Sequence, residues 1–321
     1  MPRLASRSPL FGPSPSALVL LECNLASQIG GSASTTIEDI SDSIASVQSI
    51  NRATVAFGGS FFDRFRMPRP SRLTQLRFNF DPGDDRLDRS DRDLVFALET
   101  SHADLGDALR VIGLLEKWIE DPLLHVGLRL SSNRDHLGFI DGTSNLQELT
   151  PAEFEQTVFV QDIDDPQFAG GTYIVLRKYR EEAYFWHELP PNVQEQFIGR
   201  KRETGAFLDG RQVFTEKAWQ ATPALAHIRC ANPRVAEPGR FEWRERMFRR
   251  SIPYTTRSPS GDEERGLLFL ALARDPCEQV ERLHNVRMQP KSGRRDLLLS
   301  SGYAVPLRST CYYFRHPPDA A

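Results

Sequence analysis

The chain has 321 residues, 40% of them hydrophobic and 26% charged, with a formal net charge of -3. That length exceeds most single cores and suits two domains, and the composition is that of a soluble globular protein. The near-balanced charge provides no field to recruit nucleic acid or an anionic membrane. No stretch reaches the roughly 18 apolar residues of a membrane span.

Four cysteines, Cys23, Cys230, Cys277 and Cys311, lack the spacing of a zinc knuckle or an iron–sulfur cluster, so free thiols in a reducing compartment are expected. The N-terminus shows neither a twin arginine nor a sustained apolar core before a cleavage site. No export signal is read there, and a cytoplasmic setting is the expectation.

After a Pro/Ser-rich leader over residues 1–14, residues 17–22 read as a buried strand. Residues 35–47 place Ile37, Ile40, Ile44 and Val47 at helical spacing. Residues 52–57 read as a strand and 60–65 as a short helix. The acidic and basic run 81–93 reads as a solvated loop without chemistry. Residues 94–98 are a strand, 103–119 a helix and 124–130 a strand, which completes a split βαβ unit.

In the second half, residues 170–176 open a strand, 181–188 and 190–199 form helices, 246–254 and 266–273 form strands, 276–286 a helix and 311–314 a last strand. The expected fold is α+β: two tandem ferredoxin-like domains, residues 15–145 and 146–321, with antiparallel sheets and helices packed on their faces, of the dimeric α+β barrel type.

Within residues 137–146 a single carboxylate, Asp141, stands between Gly138 and Gly142 beside Phe139 and Ile140, which would wall it from water. A carboxylate in apolar surroundings is a candidate for acid/base work; Asp-Gly is also ordinary turn chemistry. His227 precedes alternating apolar and polar residues stopped by Asn232-Pro233. An imidazole that ligates haem iron needs an acceptor on its other nitrogen. Asp275 is a candidate for that acceptor, or equally a helix N-cap before Pro276. Arg249 and Arg250 are adjacent on a strand, so only one of them can face a pocket shared with Asp141, where it would hold charge on a reacting oxygen.

Taken together, Gly138-Phe-Ile-Asp-Gly142, Ala169-Gly-Gly-Thr-Tyr173, Ile198-Gly-Arg-Lys201, His227-Ile-Arg-Cys-Ala-Asn-Pro-Arg234 and Phe248-Arg-Arg-Ser-Ile-Pro-Tyr254 before Gly266-Leu-Leu-Phe269 resemble the dye-decolorising (DyP-type) haem peroxidases over nearly the whole chain. The resemblance implies haem b held mainly by the second half, with His227 as axial ligand, Asp141 as distal acid/base, Arg249 as distal arginine and Asp275 as the acidic partner of His227. Phe139, Ile140, Gly142, Thr143, Ser251 and Phe269 would border the haem, and Arg229 or Arg234 would pair with propionates.

Ser251 departs from the asparagine that some members carry there. The implied activity is reduction of hydrogen peroxide with one-electron oxidation of a small organic reductant, such as a dye or phenol, through a ferryl intermediate. Trp243, Trp186 and Tyr254 are candidate electron relays. Haem-iron release like that of deferrochelatases, a non-catalytic haem carrier or sensor, and a cofactor-free scaffold are the rival readings. Homo-oligomerisation stays open, and the short C-terminus disfavours packaging as cargo.

Overall fold

The computed structural model describes residues 14–29, 32–45, 53–83, 85–129, 133–143, 145–146, 149–232, 241–257, 261–293 and 295–315. Arg234, most of the leader and the C-terminal tail lie outside the described residues.

Alternating apolar positions build the first half as β1 (Ala17–Leu25), α1 (Ala33–Ala45), β2 (Ala53–Phe57), α2 (Gly59–Arg64), β3 (Leu94–Thr100), α3 (Leu105–Leu115) and β4 (Ile119–Leu128). Its strands lie in the order β4-β1-β3-β2, all antiparallel, which is the ferredoxin-like arrangement.

The second half comprises α4 (Pro151–Val158), β5 (Thr172–Glu181), α5 (Ala183–Glu188), α6 (Pro191–Ile198), α7 (Glu216–Gln220), α8 (His227–Ala231), β6 (Phe248–Arg249), β7 (Ile252–Arg257) and β8 (Glu263–Ala273). Two π-helical turns (Cys277–Arg282 and His284–Met288), α9 (Leu297–Ser300) and β9 (Ala304–Phe314) complete it. With β6 and β7 sharing one edge of β8, the order β9-β5-β8-β7 repeats that of the first half.

The two sheets meet where Phe57 pairs with Tyr313 and where Gly127 pairs with Tyr254. Because β5 also pairs with β8, the strands close into a barrel. Side-chain alternation then separates two cores. Leu18, Leu20, Ile174, Leu176, Leu268 and Leu270 fill the interior, whereas Val19, Leu21, Val175 and Ala271 face outward, with α1 and α3 covering the first half. No helix among the described residues is long and apolar enough to cross a membrane.

Two expectations change and one helix is new. The third helix stops at Leu115, where Trp118 N–H donates to the Leu115 carbonyl at 2.8 Å and Ile119 enters β4. Helix α4 emerges from a capping box at Thr150 and Glu153. The charged run 81–93 is not merely solvated: Asp81 is buried against Arg177 at 2.6 Å, Asp93 accepts from the Leu25 N–H at 3.0 Å, and Asp88 pairs with Arg308.

Candidate active site

The loop over 133–146 is pinned at its backbone. Asp141 N–H donates to Asn133 O at 3.0 Å, and Asn133 Nδ2 donates back to Asp141 O at 3.0 Å. Gly138 and Gly142 have φ of +89° and +76°, a region in which a side chain is strained. At Gly138 a Cβ would also lie 2.7 Å from Arg202 Nε. The two glycines therefore fix where the Asp141 carboxylate stands.

That carboxylate is half-buried and is not walled off by its apolar neighbours. Phe139 turns to the Trp186 ring, with centroids 6.3 Å apart, while Ile140 and the exposed Thr143 lie against Gly205. Asp141 Oδ2 instead accepts from Arg129 Nη1 at 3.0 Å, and Oδ1 accepts from Gly142 N–H at 2.7 Å. Arg129 was not foreseen; a single arginine after a strand carries no signal of its own.

Two further carboxyls stand near Asp141. Asp135, whose Oδ1 accepts from Phe139 N–H at 2.9 Å, is pushed up to about 7, first by burial and then by Asp141. Glu181 is pushed well up by burial, with Asp135 and Asp141 adding to it.

Strand alternation sorts the arginine pair. Arg250 points into the barrel, where it pairs with the buried Glu99, and Arg249 points outward. Asn145 stands in for a neighbouring strand at β6: Arg249 N–H donates to its Oδ1 at 2.8 Å and its Nδ2 donates to Arg249 O at 2.8 Å. Burial pulls the Arg249 guanidinium down, and the Asp141 carboxylate works against that.

On the outer face of the second sheet lies a cavity of about 1050 Å³, counting space open to solvent. His227, at the start of α8, lines it, and His227 Nδ1 donates to Asp296 Oδ2 at 2.8 Å, which leaves Nε2 for the cavity. The stretch is a short helix despite its alternation of apolar and polar residues. Burial would lower the His227 pKa, but the Asp296 carboxylate outweighs it and raises the group overall.

Asp275 does not fill this role. It caps the first π-helical turn through Cys277 N–H at 3.0 Å and pairs with Arg72 at 3.0 Å. Asp296, fully buried, N-caps α9 and takes the place that had been assigned to Asp275. Both aspartates precede helices, so sequence alone could not choose between them.

Phe269 lines the cavity, as do Phe78, Leu146, Leu267 and Met247. Phe139, Ile140, Gly142, Thr143 and Ser251 do not; Gly142 and Ser251 instead line a second, polar pocket of about 520 Å³ together with Asp141, Arg129 and Asn145. Arg249 lines both spaces. Arg229 also lies off the cavity, with its Nη1 on the Thr222 carbonyl and its guanidinium 5.3 Å from the Trp219 ring. Of the three aromatics considered as relays, Trp186 is fully buried, Tyr254 donates to Glu264 at 3.0 Å and Trp243 stacks on Arg274; none lines the cavity.

The cavity fits a large iron-bearing macrocycle. Its walls are mainly apolar, its imidazole is already oriented, and two residues that line it carry a buried polar atom, His284 Nδ1 and Glu181 Oε2, with no hydrogen-bond partner among the described residues. An oriented imidazole and a buried arginine backed by a carboxylate, both bordering one apolar cavity, are the residue types of a haem-dependent, peroxide-reducing site.

The comparisons agree with this class. Residues 132–320 match the family model described as Dyp-type peroxidase, C-terminal. A dye-decolorizing peroxidase of Mycobacterium tuberculosis is 27% identical over 273 residues, covering 82% of this chain and 75% of that protein. A protein named deferrochelatase from Yersinia pestis is 31% identical over 244 residues, covering 69% of this chain and 55% of that one. Among solved structures, an oxyferrous complex of DtpA from Streptomyces lividans aligns with a TM-score of 0.77 at 22% identity, covering 96% of this chain and 91% of that one. The chain belongs to the Dyp-type peroxidase family and is accordingly a haem peroxidase.

Proposed function

We propose that His227 ligates haem b iron through Nε2, and that Asp141 and Arg249 carry out the proton and charge work of reducing hydrogen peroxide at the expense of a small organic reductant such as a phenol or dye. Haem supplies the redox chemistry: an iron centre and macrocycle that together exchange electrons with peroxide and then with the reductant. The chain's own residues supply orientation, protons and charge.

Asp296 holds the His227 ring with Nε2 toward the cavity and strengthens it as a donor. Asp141, from the polar pocket, takes a proton from one peroxide oxygen and returns it to the other, so that water leaves instead of hydroxide. Asp141 lines the polar pocket and not the His227 cavity, and Arg249, which borders both, stands where the two spaces meet. Arg249 holds the negative charge that builds on the departing oxygen.

The observation that carries this reading is the position of Arg249, which lines both the His227 cavity and the pocket of Asp141. Stopped-flow absorbance of the haem-loaded protein mixed with peroxide tests it. Asp141→Asn should retain the Soret band and slow the peroxide reaction by roughly 10²- to 10⁴-fold. His227→Ala should shift or abolish the band. An Asp141→Asn protein as fast as the parent would remove Asp141 from the mechanism.

A further inference from the structure

The Arg129 guanidinium makes four hydrogen bonds, and every acceptor it uses belongs to the surroundings of the distal pair. Nη1 donates to Asp141 Oδ2 at 3.0 Å and to Asn133 Oδ1 at 2.6 Å, Nη2 donates to the Ser251 carbonyl at 2.8 Å, and Nε donates to the Pro15 carbonyl at 3.4 Å. Asn133 is itself doubly bonded to the Asp141 backbone, and Ser251 lies two residues beyond Arg249. One planar fork thus joins the segment before β1, the end of β4, the Asp141 loop and the break between β6 and β7. Its side chain is 12% exposed and that of Asp141 26%, so the pair is shielded without being sealed.

We infer that Arg129 is the positioning residue for Asp141. It holds Oδ2 in one orientation and at a fixed place relative to the backbone that carries Arg249, and the inference rests on the acid/base reading of Asp141 given above. The argument turns on geometry. Asp141 has two oxygens; Oδ1 accepts from Gly142 in its own loop and Oδ2 from Arg129, so without Arg129 the carboxylate loses a side-chain anchor. A lysine would keep the charge but cannot reproduce a fork that meets four acceptors from three nitrogens. Arg129 lines the polar pocket and is not among the residues that line the His227 cavity, so its removal takes away none of that cavity's walls.

The test is a double-mutant cycle on the haem-loaded full chain, read by stopped-flow with hydrogen peroxide. Arg129→Ala should keep the parent Soret band and lose roughly 10- to 100-fold in rate, a share of the 10²–10⁴ that goes with the base itself. Millimolar guanidinium should restore part of that loss, and Arg129→Lys should fall between the two. Adding Arg129→Ala to Asp141→Asn should cost no further rate, because the residue acts through Asp141.

In the haem-free chain, the urea midpoints of the same four proteins should be non-additive, a readout independent of turnover. Losses in rate that multiply in the double variant, or an Arg129→Ala protein at the parent rate beside a slow Asp141→Asn, would overturn the inference alone. A fast Asp141→Asn would overturn it together with the acid/base reading. Should Arg129→Ala not fold, Arg129→Lys in both backgrounds makes the same comparison.

Discussion

At His227 the Asp296 carboxylate is the group that would decide how well the ring serves in the proposed role of ligand. Asp296→Asn retains an acceptor for the Leu299 N–H, which bonds to Oδ1 at 3.2 Å, but removes the negative charge from His227. Haem affinity or peroxide activity should fall 10- to 100-fold, the usual scale for losing a group that orients a metal ligand, as read by haem titration and stopped-flow. Asp135 supports a prediction in pH. Its carboxyl is raised from the ordinary 3.8 to about 7, so the folded chain holds a proton that the unfolded chain has released. Stability should therefore decline as pH rises from about 4 to about 7. Asp135→Asn, which can still accept from Phe139 N–H, should flatten that decline in a series of thermal midpoints. A slope unchanged by the substitution would assign it to other groups.

The same scale shows where sequence reading reached and where it stopped. Asp141, His227 and Arg249 stand out in the sequence because each sits in a motif whose spacing is itself a constraint, and the structure brings His227 and Arg249 to one cavity and Asp141 to the pocket that Arg249 also lines. Asp296 and Arg129 do not stand out, since one looks like any helix cap and the other like any strand-end arginine, and only the closed sheet brings them to their partners.

Between residues and whole molecule, short elements carry the site. β6 is two residues long, and Asn145 gives it the two hydrogen bonds a neighbouring strand would have given. Asn145→Ala should therefore release Arg249 at its backbone, costing about 1–3 kcal/mol for two neutral hydrogen bonds. The peroxide rate should drop while the Soret band stays, with urea unfolding giving the stability term. Periodicity made most strands visible, although β9 runs from Ala304 where residues 311–314 had been expected. The polar residues Arg308, Ser309 and Thr310 hid its first part, because in this barrel charged side chains point inward. Helix α8 escaped notice because five residues are too few for a helical period to appear.

Across the whole molecule the barrel interior is held by buried charge as well as by leucine. Glu22 accepts from Arg308 at 2.6 and 2.8 Å, from Thr310 at 3.0 Å and from Tyr312 at 2.6 Å, with His125 3.0 Å away. Burial alone would raise this carboxyl, but His125 and Arg308 bring it down to about 2. A lowered carboxylate stabilises the fold above its unfolded value near 4.5 and loses that contribution as pH falls toward 2. Glu22→Gln should cost about 3–5 kcal/mol in urea unfolding at neutral pH, the scale for breaking a buried pair from one side, and should weaken the acid dependence below pH 4.5.

Closure of the sheet has a consequence for how the chain can be divided. Each half ends in edge strands that meet the other half, β2 with β9 at Phe57 and Tyr313 and β4 with β7 at Gly127 and Tyr254. Expressed alone, either half would present two bare rows of backbone donors and acceptors, the template on which foreign strands add. The halves are each other's protection against aggregation, so a fragment bearing His227 and Arg249 but lacking the first four strands should precipitate before it could be loaded with haem.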